Sequence, residues 1–327
     1  MNFRNYLFLL LLSFGLFTGC DENITVSDTS DLVIMTYNTQ TFFDAVTSGS
    51  EFSDFRGSEY WSADAYSIRL DRLCEVLYLA GQMCQYGKRT VPDIVVLQEI
   101  ENADVLRDLC NRLHACDRYP YAVFVPPDDG CAFSSGLLSM YPVVSVSVHS
   151  LGNTGFALRP LLEIELNING SPLVVFAVHW KSKADDADTT TVRHMQETLL
   201  YNRIQILKKI RPDVAFIACG DFNQKPEEFT IMNQLSDCWT EWFDQCAKGT
   251  VAGPCGSYRY QDNWEAIDHF FYDGSLTDGN GLEFGSFQVL AREPLITSDM
   301  IPARYELYSG KGYSDHLPLL LSLRILK

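Results

Sequence analysis

The feature that most limits what this chain can become is a set of short apolar runs, each stopping at a polar residue able to bind metal or move a proton. Val33-Ile34-Met35-Thr36-Tyr37 stops at Asn38, Ile94-Val95-Val96-Leu97-Gln98 at Glu99, and Val174-Val175-Phe176-Ala177-Val178 at His179. Ile217-Ala218-Cys219-Gly220 leads to Asp221 and Asn223, Ala266-Ile267 to Asp268, and Asp315-His316 stands just before Leu317-Pro318-Leu319. Such runs, many rich in Val and Ile, read as buried strands and are far too short to span a bilayer. Strand ends of a sheet sandwich gather at one rim, so side chains almost 280 residues apart in sequence can converge. One Asp or Asn after a strand is an ordinary turn former. A whole set of hard oxygen ligands and imidazoles at strand ends points instead to a shared site for Mg²⁺, Mn²⁺ or Ca²⁺; two separated histidines are too few for zinc.

Between these runs, Ser62 can cap a helix over 62–80 whose apolar face holds Ile68, Leu73, Val76, Leu77 and Ala80. Further helices are expected over 102–113 and 188–210, and a helical, cysteine-bearing segment over 226–255. Strands are expected over 32–37, 92–97, 121–125, 135–139, 143–149, 161–168, 173–179, 213–219, 266–272, 284–290 and 316–323. Asn169-Gly170 is suited to the positive φ of a tight hairpin turn. Strands outnumber helices and often adjoin, which predicts an α/β (α+β) fold of two largely antiparallel sheets covered by helices, in a single domain over 31–327.

The start of the chain reads differently. Arg4 precedes an apolar stretch from Tyr6 to Phe17, and Thr18-Gly19-Cys20 follows. This is an export signal over 1–20, and Cys20 resembles the lipid-modified cysteine of bacterial lipoproteins. Residues 21–30 then read as a polar tether. The expectation is a lipid-anchored protein of the bacterial cell envelope, periplasmic or on the surface, or a secreted one if Cys20 is unmodified. In an oxidising compartment the other nine cysteines can pair. Cys219 lies in an apolar run and reads as a buried free thiol, Cys110 with Cys116 as a local pair. Cys74, Cys84, Cys131, Cys238, Cys246 and Cys255 have no assignable partners.

Charge narrows the choice of partner. Lys and Arg number 25 against 42 Asp and Glu; removing residues 1–19 takes away Arg4 alone, leaving 24 against 42, or −18. A broadly basic nucleic-acid binder is excluded. A polyanion has to be gripped locally, for which Arg159, Lys181 and Lys183 are the candidates.

Met35-Thr36-Tyr37-Asn38, Leu97-Gln98-Glu99, His179, Gly220-Asp221-Phe222-Asn223, Ile267-Asp268-His269 and Ser314-Asp315-His316-Leu317-Pro318 together resemble the endonuclease/exonuclease/phosphatase superfamily, the group of deoxyribonuclease I-like proteins. The resemblance runs from about residue 31 to 325. His179-Trp180-Lys181-Ser182-Lys183 and Arg159-Pro160 look most like exported bacterial nucleases of that fold. Met140 in Ser139-Met140-Tyr141-Pro142 departs from the arginine many members carry.

The resemblance implies a four-layer α/β sandwich. It also implies roles: Glu99 binding the divalent metal with Asn38 and Asp315 in support, Asp268 orienting His316, and His316 taking a proton from the attacking water. Asp221 and Asn223 would hold the nucleophile and phosphoryl oxygens, and His179 would face the scissile phosphate. Without the resemblance, Arg159, Lys181 and Lys183 read equally well as surface charges. His269 alternates with Asp268 and so reads as structural, His114, His149 and His194 as surface residues, and Tyr119, Tyr121 and Phe124 as strand packing rather than a base-stacking platform. The expected activity is hydrolysis of nucleic acid, DNA first and RNA second, with no obligate protein partner. A phospholipid or phosphoinositide hydrolase of the same fold is the alternative, weakened by the lack of an evident apolar docking loop. A binding protein that has lost catalysis should lack a site residue, and none is missing.

Overall fold

The computed structural model describes residues 30–83, 89–152, 154–183, 189–251 and 253–326. The expected signal segment, Cys20 and most of the tether lie outside these residues, as does Cys84. In chain order the first elements are β1 (Ser30–Phe42), α1 (Ala63–Met83), β2 (Ile94–Ile100), α2 (Ala103–Arg112), β3 (Tyr121–Phe124), β4 (Ser134–Ser139) and β5 (Val143–His149). Then come β6 (Leu161–Ile168), β7 (Ser171–His179), α3 (Thr190–Ile210), β8 (Ala215–Asp221), β9 (Ser236–Asp237) and α4 (Cys238–Lys248). The last are β10 (Tyr258–Tyr260), β11 (Asn263–Glu265), β12 (Asp268–Tyr272), β13 (Leu282–Val289) and β14 (Leu319–Ile325).

Two six-stranded sheets, ordered β13-β14-β1-β2-β4-β3 and β5-β6-β7-β8-β12-β9, lie face to face between helices. Each contains one parallel pair, β1 with β2 and β7 with β8, so both are mixed sheets. Alternation along the strands explains the layering. On β7 and β8, Leu173, Val175, Ala177, Ala215, Ile217 and Cys219 enter the core between the sheets. Their neighbours Val174, Phe176, Val178, Phe216 and Ala218 pack under Leu200, Ile204 and Leu207 of α3. On β6, Glu163 and Glu165 face out and are paired by Arg203 and Arg211. Asn169 (φ 54°) and Gly170 (φ 102°) make the hairpin turn the sequence suggests.

Several expectations change. Ile68 is half-exposed on α1, and the buried face runs instead through Tyr66, Arg69, Leu70, Leu73, Val76, Leu77 and Ala80. The segment 226–255 is not one helical unit: two single 3₁₀ turns and β9 precede α4. Asp237, which caps α4 through Trp239 N–H, also binds Nδ1 of fully buried His269 at 2.9 Å. His149 is not a free surface residue, since Nε2 meets Glu163 at 2.8 Å. Cys110 is buried and Cys116 exposed, both as free thiols, so the expected local pair is not formed. Among the described residues no helix is long and apolar enough to cross a membrane.

Candidate active site

The rim reached by Asn38 of β1, Glu99 of β2, the last residues of β7 and β8 and the first of β12 is polar because the register aligns these positions. His179 lies beside Asp221 in the parallel β7–β8 pair, and Asp268 opposite Asp221 in the antiparallel β8–β12 pair. Gly220, at φ 138°, permits this: a Cβ there would collide with the Val178 backbone. Asn38 donates from Nδ2 to Asp221 Oδ2 at 2.9 Å and to Glu99 Oε1 at 3.3 Å, bridging two sheets. His179 Nε2 lies 3.9 Å from both Glu99 Oε1 and Asp221 Oδ2. Asp221 Oδ1 accepts the Asn223 N–H at 2.8 Å, and Asn223 Nδ2 donates to the Trp180 carbonyl at 3.2 Å.

The second half of the site is a hydrogen-bonded chain. Asp268 Oδ2 receives His316 Nδ1 at 2.7 Å and Ser257 Oγ at 2.6 Å. Trp239 Nε1 holds the Asp268 carbonyl at 2.7 Å. Ser314 Oγ donates to the Asn38 carbonyl at 2.7 Å and accepts the His316 N–H at 3.1 Å, tying the imidazole segment to β1. Tyr258 covers the imidazole, with ring centroids 4.8 Å apart.

Electrostatics follow from burial and crowding. Burial, then the charge of Asp268, pushes Asp221 above the usual carboxylate range. Burial opposes a proton on His316, but Asp268, by charge and hydrogen bond, followed by Asp221 and Asp315, pushes its pKa up to about 10. His179 goes the other way, held well below the ordinary histidine value by burial and by Arg159 and His316. Asp268 Oδ1 and His179 Nδ1 are buried without a hydrogen-bond partner, so polar capacity remains at the site.

Those observations fit a divalent cation. Asp221, Asp268 and His316 each offer a ligand atom within 4.8 Å of the others, and Glu99 shares Asn38 with Asp221. Hard oxygen donors dominate the set, as Mg²⁺, Mn²⁺ or Ca²⁺ requires. The ligand-like cluster thus falls on residues expected to be catalytic. Asp315 is half-buried and near enough to act on His316.

The backbone is turned sharply here. Gln40, Thr41, Glu99 and Asn223 all have φ between 50° and 61°, a region costly for residues with a Cβ. Arg69, buried on α1, offsets the strain by donating to the carbonyls of Thr39 (2.8 Å), Gln40 and Thr41 (2.7 Å) while its guanidinium lies 3.9 Å over Tyr305. The Thr41 N–H in turn donates to Glu99 Oε2.

Of the cationic candidates, Arg159 lies with His179, Trp180 and Gln196 around a small pocket, and its Nε is buried without a partner. Lys181 is over the Phe156 ring at 5.6 Å, and its backbone N–H is held by Gln196. Lys183 is not brought to the site, because Glu228 takes its ammonium at 2.8 Å. A separate depression of about 650 Å³ between α4 and β13 contains none of these residues.

A family model described as the endonuclease/exonuclease/phosphatase family matches residues 33–325. The chain belongs to that family. Its fold is that of a phosphodiesterase or nuclease-like hydrolase of the endonuclease/exonuclease/phosphatase type. TDP2 from Caenorhabditis elegans is similar at 16% identity and TM-score 0.58, over 91% of this chain and 76% of that one. A Bacteroides thetaiotaomicron member of the endonuclease/exonuclease/phosphatase family is similar at 16% identity and TM-score 0.55, over 91% and 96%. The catalytic domain of human nocturnin, with bound sulfate, follows at 17% identity and TM-score 0.52, over 90% and 93%. These likenesses show the fold. No curated protein matches the chain significantly. In this endonuclease/exonuclease/phosphatase member, sequence reasoning missed Arg69, Ser257 and Tyr258. Arg69 had a signal, a charge at a core position of α1; Ser257 and Tyr258 had none.

Proposed function

We propose that this chain is an exported, lipid-anchored, divalent-metal-dependent phosphodiesterase that cleaves nucleic acid internally, its folded part a single domain from residue 31 on. The observation that carries the reading is the Asp268–His316 hydrogen bond standing beside the Asn38–Glu99–Asp221 cluster. Held by Glu99 with Asn38 and Asp315, a divalent ion would offset charge building on the phosphate and leaving oxygen. Asp268 fixes the imidazole through Nδ1, leaving Nε2 to take a proton from water as it attacks phosphorus. Asp221 and Asn223 orient the water and phosphoryl oxygens, and His179, kept neutral, donates to the scissile phosphate. Arg159 and Lys181 supply the local grip on phosphate. Export and anchoring rest on residues 1–20, with Cys20 the lipidated residue.

The test is nicking of supercoiled plasmid by protein lacking residues 1–20, with Mg²⁺ plus Ca²⁺ or with chelator, beside His316→Ala. Nicking should require metal and disappear in the variant; intact plasmid in every lane rejects the reading. One observation favours phospholipid as a second substrate. Phe52 is 50% exposed, Tyr60 43% and Tyr308 69%, with Tyr60 against Tyr308 and Phe52 against Phe43, on the segments that follow β1 and precede His316. Sequence reading found no such surface. Release of headgroup from phosphatidylcholine or phosphoinositide vesicles, with plasmid untouched, selects this second reading.

A further inference from the structure

α4 ends in a left-handed turn at Gly249 (φ 66°), which sends the chain back along the helix. The Cys246 and Cys255 thiols are, like those of Cys110 and Cys116, free in this structure, but these two are side-chain hydrogen-bonding neighbours, and the Cys246 thiol lies 3.9 Å from the Gly253 carbonyl. Trp242 Nε1 fastens the Pro254 carbonyl at 2.9 Å, and a Cβ on Gly253 would collide with the Trp242 ring. The returning segment is therefore laid directly on α4. Beyond Cys255 it reaches the site at once. Ser257 is fixed by Glu265 and Leu317 through its backbone and by Asp268 Oδ2 through its hydroxyl, while Tyr258 bridges and covers His316.

We propose that Cys246 and Cys255 form a disulfide that pins residues 255–258 onto the Asp268–His316 pair. Each thiol gives up one proton and one electron as the S–S bond forms, and a disulfide-type oxidant of an extracytoplasmic compartment is reduced to two thiols. The bond closes a short loop, so its restriction of the unfolded chain gives a modest gain in stability. Its second effect is local: it restrains Gly253, Pro254 and Cys255, which lead into the Ser257 hydroxyl.

The full chain, purified without reductant and incubated with oxidised glutathione, is alkylated, digested and mapped by mass spectrometry without reduction. Trypsin cuts after Lys248, so the linked cysteines travel as two joined peptides. The expected result is that joined pair, a Tm about 5 °C higher than in reduced protein, and no Tm response to reductant in Cys246→Ser/Cys255→Ser. Reduction should also lower plasmid nicking on the order of tenfold in kcat, an arm that rests on the proposed function. Alkylation of both cysteines, or linkage of either to another cysteine, overturns the disulfide. A mapped bond with unchanged Tm and rate overturns the pinning. Mapping and Tm need no activity, so an inactive protein rejects the nuclease reading and leaves the linkage to be judged by itself.

Discussion

His316 holds its proton because Asp268 touches it and Asp221 and Asp315 stand nearby. A base must first be deprotonated, so kcat/KM should rise with pH, and the limb should lie below about 10 once a cation's positive charge disfavours the imidazolium. Asp268→Asn removes the charge that raises the pKa, so the limb should move to lower pH while the plateau falls about 10²-fold. A pH–rate profile that keeps its limb in the variant refutes the assignment. Glu99→Gln should abolish the rise in Tm that Mg²⁺ gives the wild type, measured by calorimetry with and without chelator. The convergence of Asn38, Glu99, His179, Asp221, Asp268 and His316 was readable because each follows or precedes an apolar run, whereas the pairing that holds Lys183 away from them was not, because its partner Glu228 is 45 residues away. Ser257 was invisible for a different reason: a serine acquires meaning only through the carboxylate it meets in space.

At the scale of elements, the turn at 39–41 is set from outside by α1. Arg69→Met would keep the bulk but take the guanidinium donors from the carbonyls of Thr39, Gln40 and Thr41, of which Thr41 keeps only the Phe43 N–H, costing about 3 kcal/mol. Its Tm should fall by several degrees, and the Mg²⁺-induced shift should shrink because Thr41 no longer presents its N–H to Glu99. A variant with the wild-type Tm would remove Arg69 from this role. Strand positions were legible because five consecutive apolar residues leave few alternatives. Ile68 was misplaced because Arg69, with its head turned onto backbone carbonyls, occupies the core position that periodicity gave to an apolar neighbour. Segment 226–255 was misread because its backbone is organised by distant groups: Glu197 alone accepts the N–H groups of Thr230, Ile231 and Met232.

For the molecule as a whole, acidic side chains outnumber basic ones 42 to 25, and the proposed grip on phosphate is confined to Arg159 and Lys181. Binding to DNA should therefore depend only weakly on salt, with a slope of log K against log salt of roughly −2, where a protein with a broad basic face shows a far steeper one. Fluorescence anisotropy with a chelated, uncleavable duplex measures it. The sandwich was legible from strand count, but the two parallel pairings were not, since pairing is set by which distant strands meet. β1 also gives the molecule a direction. Ser30 pairs with Ile325 at one end of the strand, and Asn38 stands eight residues further along it, about 26 Å away at the rise of an extended chain. Both described ends of the chain thus leave from the face opposite the catalytic rim. A protein tethered through its N-terminus would hold that rim outward, toward whatever diffuses past. The bilayer that carries it would then be poorly placed as its substrate, and Phe52, Tyr60 and Tyr308 would look toward a second surface or a passing polymer.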